Sequence, residues 1–441
     1  MSLAGVAGSH TKPNGAVSWN AFAPDGTTFS FWEAAFQGSS ADTTATVYAR
    51  ACATLSCSSP AYLFFGGLEN WGRPAVKRWE GSGVILLQFA LHCTGIGSTD
   101  GCTLGRAPGA DMFAPQINLT DHYGPSTPIL TGGTLPGTGW QSSRQPQFVA
   151  FSASDRGGGI DHISINIDEA AAKSFSAPCA RAPGNGAYTR LAPCPLTTSG
   201  SLPIDISTLS DGVHSMSLVA VDAADQANTA GPYQLRVDNS PPTPPQNLSI
   251  VGGNDWHASD GFTIRWDLPA GQHAPIVATR WRLCPVEGGG TCRSGRTTNL
   301  TELPAVAVGA SGEYVLRSWL EDAAGNQSES NASTTSLRLD SEPPRPVFEV
   351  PPGAAPRRIS VRVDDGDSGL SDGEVEMRRA DTSVWVALET TVSGEHLIAQ
   401  IDDEQFEDGS YELRARAVDK VGNVGVTTSR SDGTKATVEL P

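Results

Sequence analysis

Eight cysteines, Cys52, Cys57, Cys93, Cys102, Cys179, Cys194, Cys284 and Cys292, are the residues whose spacing speaks most directly to chemistry. They fall into four neighbouring couples with 4, 8, 14 and 7 residues between partners. An even count in close couples points to local disulfides. Zinc is the alternative, but no couple is C-x2-C, and none sits beside a second short-spaced Cys or His couple that would complete a tetrahedral site. Disulfides place the chain in an oxidising, extracytoplasmic compartment, secreted or at the cell surface. Because these bridges close short loops, each contributes only about 2–3 kcal/mol.

Two further groups could do chemistry. The acidic run Asp364, Asp365 and Asp367, around Gly366 and followed by Asp372 and Glu374, could hold Ca2+, since a hard cation takes clustered carboxylates in a Gly-containing loop. Its spacing is not that of an EF-hand, and the other reading is a solvated turn. Aromatic residues concentrate in the first part of the chain, at Trp19, Trp32, Tyr62, Phe64, Phe65, Trp71 and Trp79. Trp71 and Trp79, in the polar stretch ENWGRPAVKRWEG, together with Tyr62 would make a stacking platform for sugar rings. Trp19 and Trp32 lie in alternating segments and are expected in the core, and the competing reading puts all seven there.

Catalytic patterns are sparse. No H-E-x-x-H or G-K-[ST] occurs, and the 8 His are scattered without close pairing. Glu33, Glu69 and Glu80 could supply the two carboxylates of a glycosidase, but nothing in the sequence fixes their geometry. The expectation is a protein that is not an enzyme. Leu135 to Gly139 spells a sortase pattern far from any C-terminal anchor and reads as linker. Asn118, Asn247, Asn299, Asn326 and Asn331 each open an N-x-[ST] sequon, read as chance.

The elements that must carry these residues show an internal repeat. DGVHSMSLVAVDAADQAN from Asp211, ASGEYVLRSWLEDAAGNQ from Ala310 and EDGSYELRARAVDKVGN from Glu407 align. In each, a ring (His214, Tyr314, Tyr411) stands eight residues before an aspartate (Asp222, Asp322, Asp419). Alternating small or apolar residues between those markers predict a strand with one buried face. The closing DAAGN and DKVGN are turn chemistry, whereas Asp225 and Gln226 replace Gly-Asn in the first copy, so its turn is expected to differ. The seams RVDNSPPTPP and RLDSEPPRP read as stiff linkers. SASDRGGGIDHISINID from Ser152 and VDDGDSGLSDGEVEMRR from Val363 open the first and third copies alike, while the middle copy opens on FTIRWDLP with Trp266 centred in a strand.

On these motifs, residues 131–441 resemble the bacterial Ig-like and fibronectin type III-like repeats of secreted and cell-surface proteins. The resemblance implies three tandem Ig-like β-sandwiches, at 131–242, 243–342 and 343–441. It also implies that Tyr314 and Tyr411 stand where such folds carry a tyrosine corner, bonded to nearby backbone, which His214 can mimic only in part. Segments such as TTFSFWEAAF, TATVYARACA and GVILLQFALHC predict that 13–130 is an antiparallel jelly-roll-like sandwich. That region is broadly similar to concanavalin A-like sandwiches and carbohydrate-binding modules. Residues 1–12 are expected to be a flexible terminus, left by export processing behind a cloning scar. The fold class is therefore all-β.

Of 441 residues, 48 are Gly and 31 Pro, which suits many short elements, and the length exceeds one core. A net charge of −17 repels phosphate backbones and anionic headgroups, so nucleic acid is a poor partner. No apolar run approaches a membrane span, the longest being Val84 to Leu91, and no membrane insertion is expected. The expected function is structural or adhesive display by a monomer, with carbohydrate binding through the first domain as the alternative and a hydrolase as a minor one. Partners would be extracellular polysaccharide or a surface protein.

Overall fold

The computed structural model describes residues 2–4, 16–39, 45–58, 60–67, 75–93, 109–287, 289–349, 357–402 and 404–440. The chain divides into two compact units, Met1–Thr138 with Gln145–Val237, and Gly139–Arg144 with Asp238–Pro441. Each unit holds two hydrophobic cores, and each core lies between two antiparallel sheets. Among the described residues no helix is long and apolar enough to cross a membrane.

The first sandwich pairs Ser2–Ala4, Gly109–Asp121, Thr27–Ser39 and Ala75–Val84 in that order, facing Ala16–Phe22, Leu86–Cys93, Ala45–Cys52 and Ala61–Gly67. This is the order of an eight-stranded roll built from two Greek keys. Phe29, Trp32 and Met112 from one sheet meet Ala49, Leu87 and Phe89 from the other. Residues 1–12, expected to be flexible, contribute a strand: Ser2, Leu3 and Ala4 register against Asp111, Ala110 and Gly109. Three residues are too few to show a period in sequence, but they suffice to pair an edge. The strand Ala75–Val84 was also hidden, because its AVKRWEG start reads as a polar loop.

The next sandwich sets Ala227–Val237, Gly212–Asp222, Ile160–Ile167 and Ala170–Ser176 against Thr197–Ile204, Gln147–Ser154 and Ile129–Gly133. Alternation is strict along Gln147–Ser154, and Val149, Phe151, Ile163 and Ile165 point inward and are fully enclosed. Burying each such side chain stabilises the fold by about 1.5–3 kcal/mol.

In the second unit, Gln246–Ile250, Phe262–Asp267 and Glu302–Val306 face Arg293–Thr297, Ile276–Pro285, Gly312–Asp322 and Ser333–Leu339. Trp266 is 3% exposed, and its indole N–H donates to Leu300 O at 2.6 Å. The last sandwich sets Arg345–Phe348, Arg358–Asp364, His396–Gln400 and Glu389–Ser393 against Val386–Ala387, Leu370–Arg379, Gly409–Asp419 and Val424–Thr427, with Thr437–Leu440 also on Gly409–Asp419. Two short parallel bridges complete these sandwiches. At one, His257 N–H donates to Arg338 O at 3.0 Å and Asp340 N–H to His257 O at 2.9 Å. At the other, Phe348 N–H donates to Ser429 O at 3.2 Å and Ser431 N–H to Phe348 O at 3.1 Å.

Candidate functional site

Of the aromatic candidates, Trp19, Trp32 and Trp79 have described side chains, and all three pack on the first core. Trp79 stands directly opposite Trp32 in the neighbouring strand and packs, half-buried, against the first core. Its indole lies across Gly81, where a Cβ would come within 2.2 Å of the ring. Trp32 is 2% exposed and Trp19 packs on the same core. Tyr62 lies on the strand Ala61–Gly67, but its side chain, like Trp71 and Glu69, lies outside the described residues. Glu80 is ion-paired to Arg78 at 2.5 Å on the solvent face of its strand.

The three repeat rings each reach the carbonyl four residues earlier. Tyr314 Oη donates to Ala310 O at 3.1 Å, Tyr411 Oη to Glu407 O at 2.9 Å, and His214 Nε2 to Ser210 O at 2.8 Å. His214 Nδ1 also meets Asp168 Oδ2 at 2.6 Å. A carbonyl can only accept, so Nε2 carries the proton, and a second proton on Nδ1 is what the carboxylate favours. Burial opposes that imidazolium, but the Asp168 contact and the Ser210 carbonyl hold the His214 pKa above its ordinary value. The His214 hydrogen bond in turn keeps Asp168 below the usual carboxylate range.

At the turns, Asp222, Asp322 and Asp419 each accept two backbone N–H groups through Oδ1, from Ala224 and Gln226, Ala324 and Asn326, and Val421 and Asn423. The first turn was expected to differ, and its backbone does not. Asp225 adopts φ 62°, matching Gly325 at 81° and Gly422 at 96°, because a short polar side chain can enter the left-handed region that glycine favours. The difference lies one residue on. Gln226 Nε2 donates to Asp121 O at 3.1 Å, as Asn326 Nδ2 does to Asp238 O at 2.7 Å and Asn423 Nδ2 to Asp340 O at 2.9 Å. The two asparagines also cap the turn carboxylate, Asp322 Oδ2 at 3.0 Å and Asp419 Oδ2 at 2.7 Å.

Asp121, Asp238 and Asp340 are a recurrent element that the sequence reading did not single out. Each accepts a backbone N–H through Oδ2, from Gly158 at 2.7 Å, Ala274 at 2.8 Å and Ser368 at 3.0 Å. The signal was present, since INLTD, QLRVD and SLRLD each close an alternating strand on an aspartate before a proline-containing segment. In the first and third repeats a third carboxylate joins, Asp155 or Asp365, so that one oxygen each of Asp121, Asp155 and Asp222, and likewise of Asp340, Asp365 and Asp419, lie within 4.8 Å of one another. In the middle repeat the corresponding stretch LPAGQHAP holds no acid.

Of the sequence-derived acidic candidates, Asp365 belongs to the second of these groups, Asp367 is half-buried beside it and donates its N–H to Asp365 Oδ1 at 3.1 Å, and Asp364 is exposed at the end of its strand. Burial pushes the Asp222, Asp322 and Asp365 carboxyls above the usual range; Asp155 and Asp121 reinforce this at Asp222, and backbone N–H groups oppose it.

Cys52–Cys57, Cys179–Cys194 and Cys284–Cys292 are disulfide-bonded, and Cys93 and Cys102 have no described side chains. Asn326, which opens one of the sequons, is fully buried, its amide engaged as above. A shallow cavity of about 250 Å3 in the first repeat is lined by Ser126, Thr127, Ser154, Thr197 and neighbours, with no titratable group.

No family model matches the chain, and no curated protein matches it. Among solved structures it is similar to a tetra-tandem repeat in the extending region of a large adhesion protein, at 13% identity over 91% of this chain and 92% of that one, TM-score 0.30. It is also similar to the chicken CNTN1 FN1–FN3 domains, at 13% identity over 70% of this chain and 98% of that one, TM-score 0.23.

Proposed function

We propose that the chain is a secreted or cell-surface, non-catalytic protein that displays its β-sandwiches for structural or adhesive contact. One observation carries this reading. In the repeats, the polar side chains that the sequence brings together bind the protein's own backbone: rings hold carbonyls four residues back, and turn aspartates hold the N–H groups that follow them. The disulfides support an oxidising compartment. The half-buried position of Trp79 on the core favours protein contact over a sugar platform.

The test assays the full chain against glycosides, esters and peptides for turnover, and against immobilised polysaccharides for binding. No turnover is expected. Hydrolysis that copurifies with the chain and disappears in Glu33→Gln or Glu80→Gln would overturn the reading. Saturable polysaccharide binding lost in Trp71→Ala would replace it with a carbohydrate-binding function for the first sandwich.

A further inference from the structure

The two three-carboxylate groups are built alike but closed differently. Around Asp340, Asp365 and Asp419, the Asn423 amide caps Asp419 Oδ2 at 2.7 Å, and the one carboxylate oxygen without a donor is on half-buried Asp365. Around Asp121, Asp155 and Asp222, the longer Gln226 side chain reaches past the carboxylate to the Asp121 carbonyl. No donor meets Asp222 Oδ2 or Asp155 Oδ1, although Asp222 is 0% exposed and Asp155 7%. Their other oxygens are satisfied: Asp222 Oδ1 by Ala224 and Gln226, and Asp155 Oδ2 by Gly157 at 2.9 Å and Gly159 at 2.8 Å. Among the described residues no Lys, Arg or His is ion-paired with any of the three, and the adjacent Arg156 turns instead to Asp25 at 3.0 Å. A buried carboxylate oxygen with neither donor nor counter-charge is unfavourable, and two of them within one cluster of three carboxylates call for a cation.

We propose that Asp121, Asp155 and Asp222 form a binding site for a divalent cation of the calcium class in the first repeat. The donor set is oxygen alone, which suits a hard ion over zinc or copper. Oxygens up to 4.8 Å apart fall within reach of one Ca2+, whose ligands stand at about 2.3–2.6 Å and whose geometry is adaptable; Mg2+ demands a tighter octahedron. Backbone carbonyls and water complete the shell. The bound ion ties the end of strand Gly109–Asp121 to two turns of the first repeat. The middle repeat, with no third acid and an Asn326 cap, and the third, capped by Asn423, are the built-in contrasts.

The full chain, stripped with EDTA, is titrated with Ca2+ by calorimetry and melted with and without the ion. One saturable site and a higher melting temperature are expected. Asp222→Asn should abolish the calcium response while raising the melting temperature in EDTA, since it removes a buried charge. Gln226→Asn installs the cap that the other repeats carry and should weaken binding by about tenfold or more; because it conserves the amide, it keeps the test open if Asp222→Asn fails to fold. Asp365→Asn should leave binding unchanged. The proposal is overturned by an absence of saturable binding, by binding that survives both Asp222→Asn and Gln226→Asn, or by binding lost in Asp365→Asn alone.

Discussion

His214 occupies the position that tyrosine holds in the other two repeats, and it makes a pH-indifferent contact titratable. Its ring keeps the bond to the carbonyl four residues back and adds Asp168 at 2.6 Å. The folded pKa lies above the unfolded one, which is about 6.5 for a free histidine. The stability this pair contributes is therefore complete below the unfolded pKa and is lost as pH rises through the folded one. Melting of the first unit should fall by a few degrees between about pH 6 and about pH 9. In His214→Tyr that fall should be smaller, and the difference isolates this ring from the other histidines. Equal slopes in both proteins would remove the pair from the account. The eight-residue spacing to Asp222 revealed His214 in the sequence, but Asp168 lies 46 residues earlier in a hairpin turn, where no local pattern could announce it.

At the scale of the element, the turn after each long strand is a clamp. Asn423 holds its own turn carboxylate and the carbonyl of Asp340, 83 residues away, with one amide. Asn423→Ala removes these two bonds and a longer one to Glu342 O at 3.4 Å, and leaves Asp419 Oδ2 bare, so it should destabilise the third repeat by about 2 kcal/mol. The check is urea unfolding of the full chain, where one transition midpoint should drop with its slope unchanged. An unaltered midpoint would mean that water replaces the amide without loss. DKVGN was legible as a turn because Asp, Gly and Asn favour it locally. The amide's second partner was not, because it depends on how the preceding strand ends. Trp79 shows the opposite failure: charged Lys77 and Arg78 made a strand look like a loop, although alternate positions carried the core contact.

Across the whole chain, period-two alternation and proline seams were enough to indicate an all-β protein with several cores, since burial on one sheet face is written directly into residue order. The strand orders, and the bridges that join residues far apart in sequence, were not written there. One of those bridges bears on mechanics. Tension applied at the two ends of a tandem protein passes in series through every domain. Antiparallel pairs at a hairpin end can peel apart one bond at a time. The parallel bridge of His257 with Leu339 joins two segments that run the same way, so tension across its repeat loads its two hydrogen bonds together in shear. His257→Pro, which deletes the N–H bonded to Arg338 O, should lower the unfolding force of one repeat in single-molecule pulling and leave the other peaks in place; an unchanged force distribution would put the barrier elsewhere. A protein held at both ends would then yield in discrete steps, lengthening by one unravelled repeat at a time while the rest kept their fold.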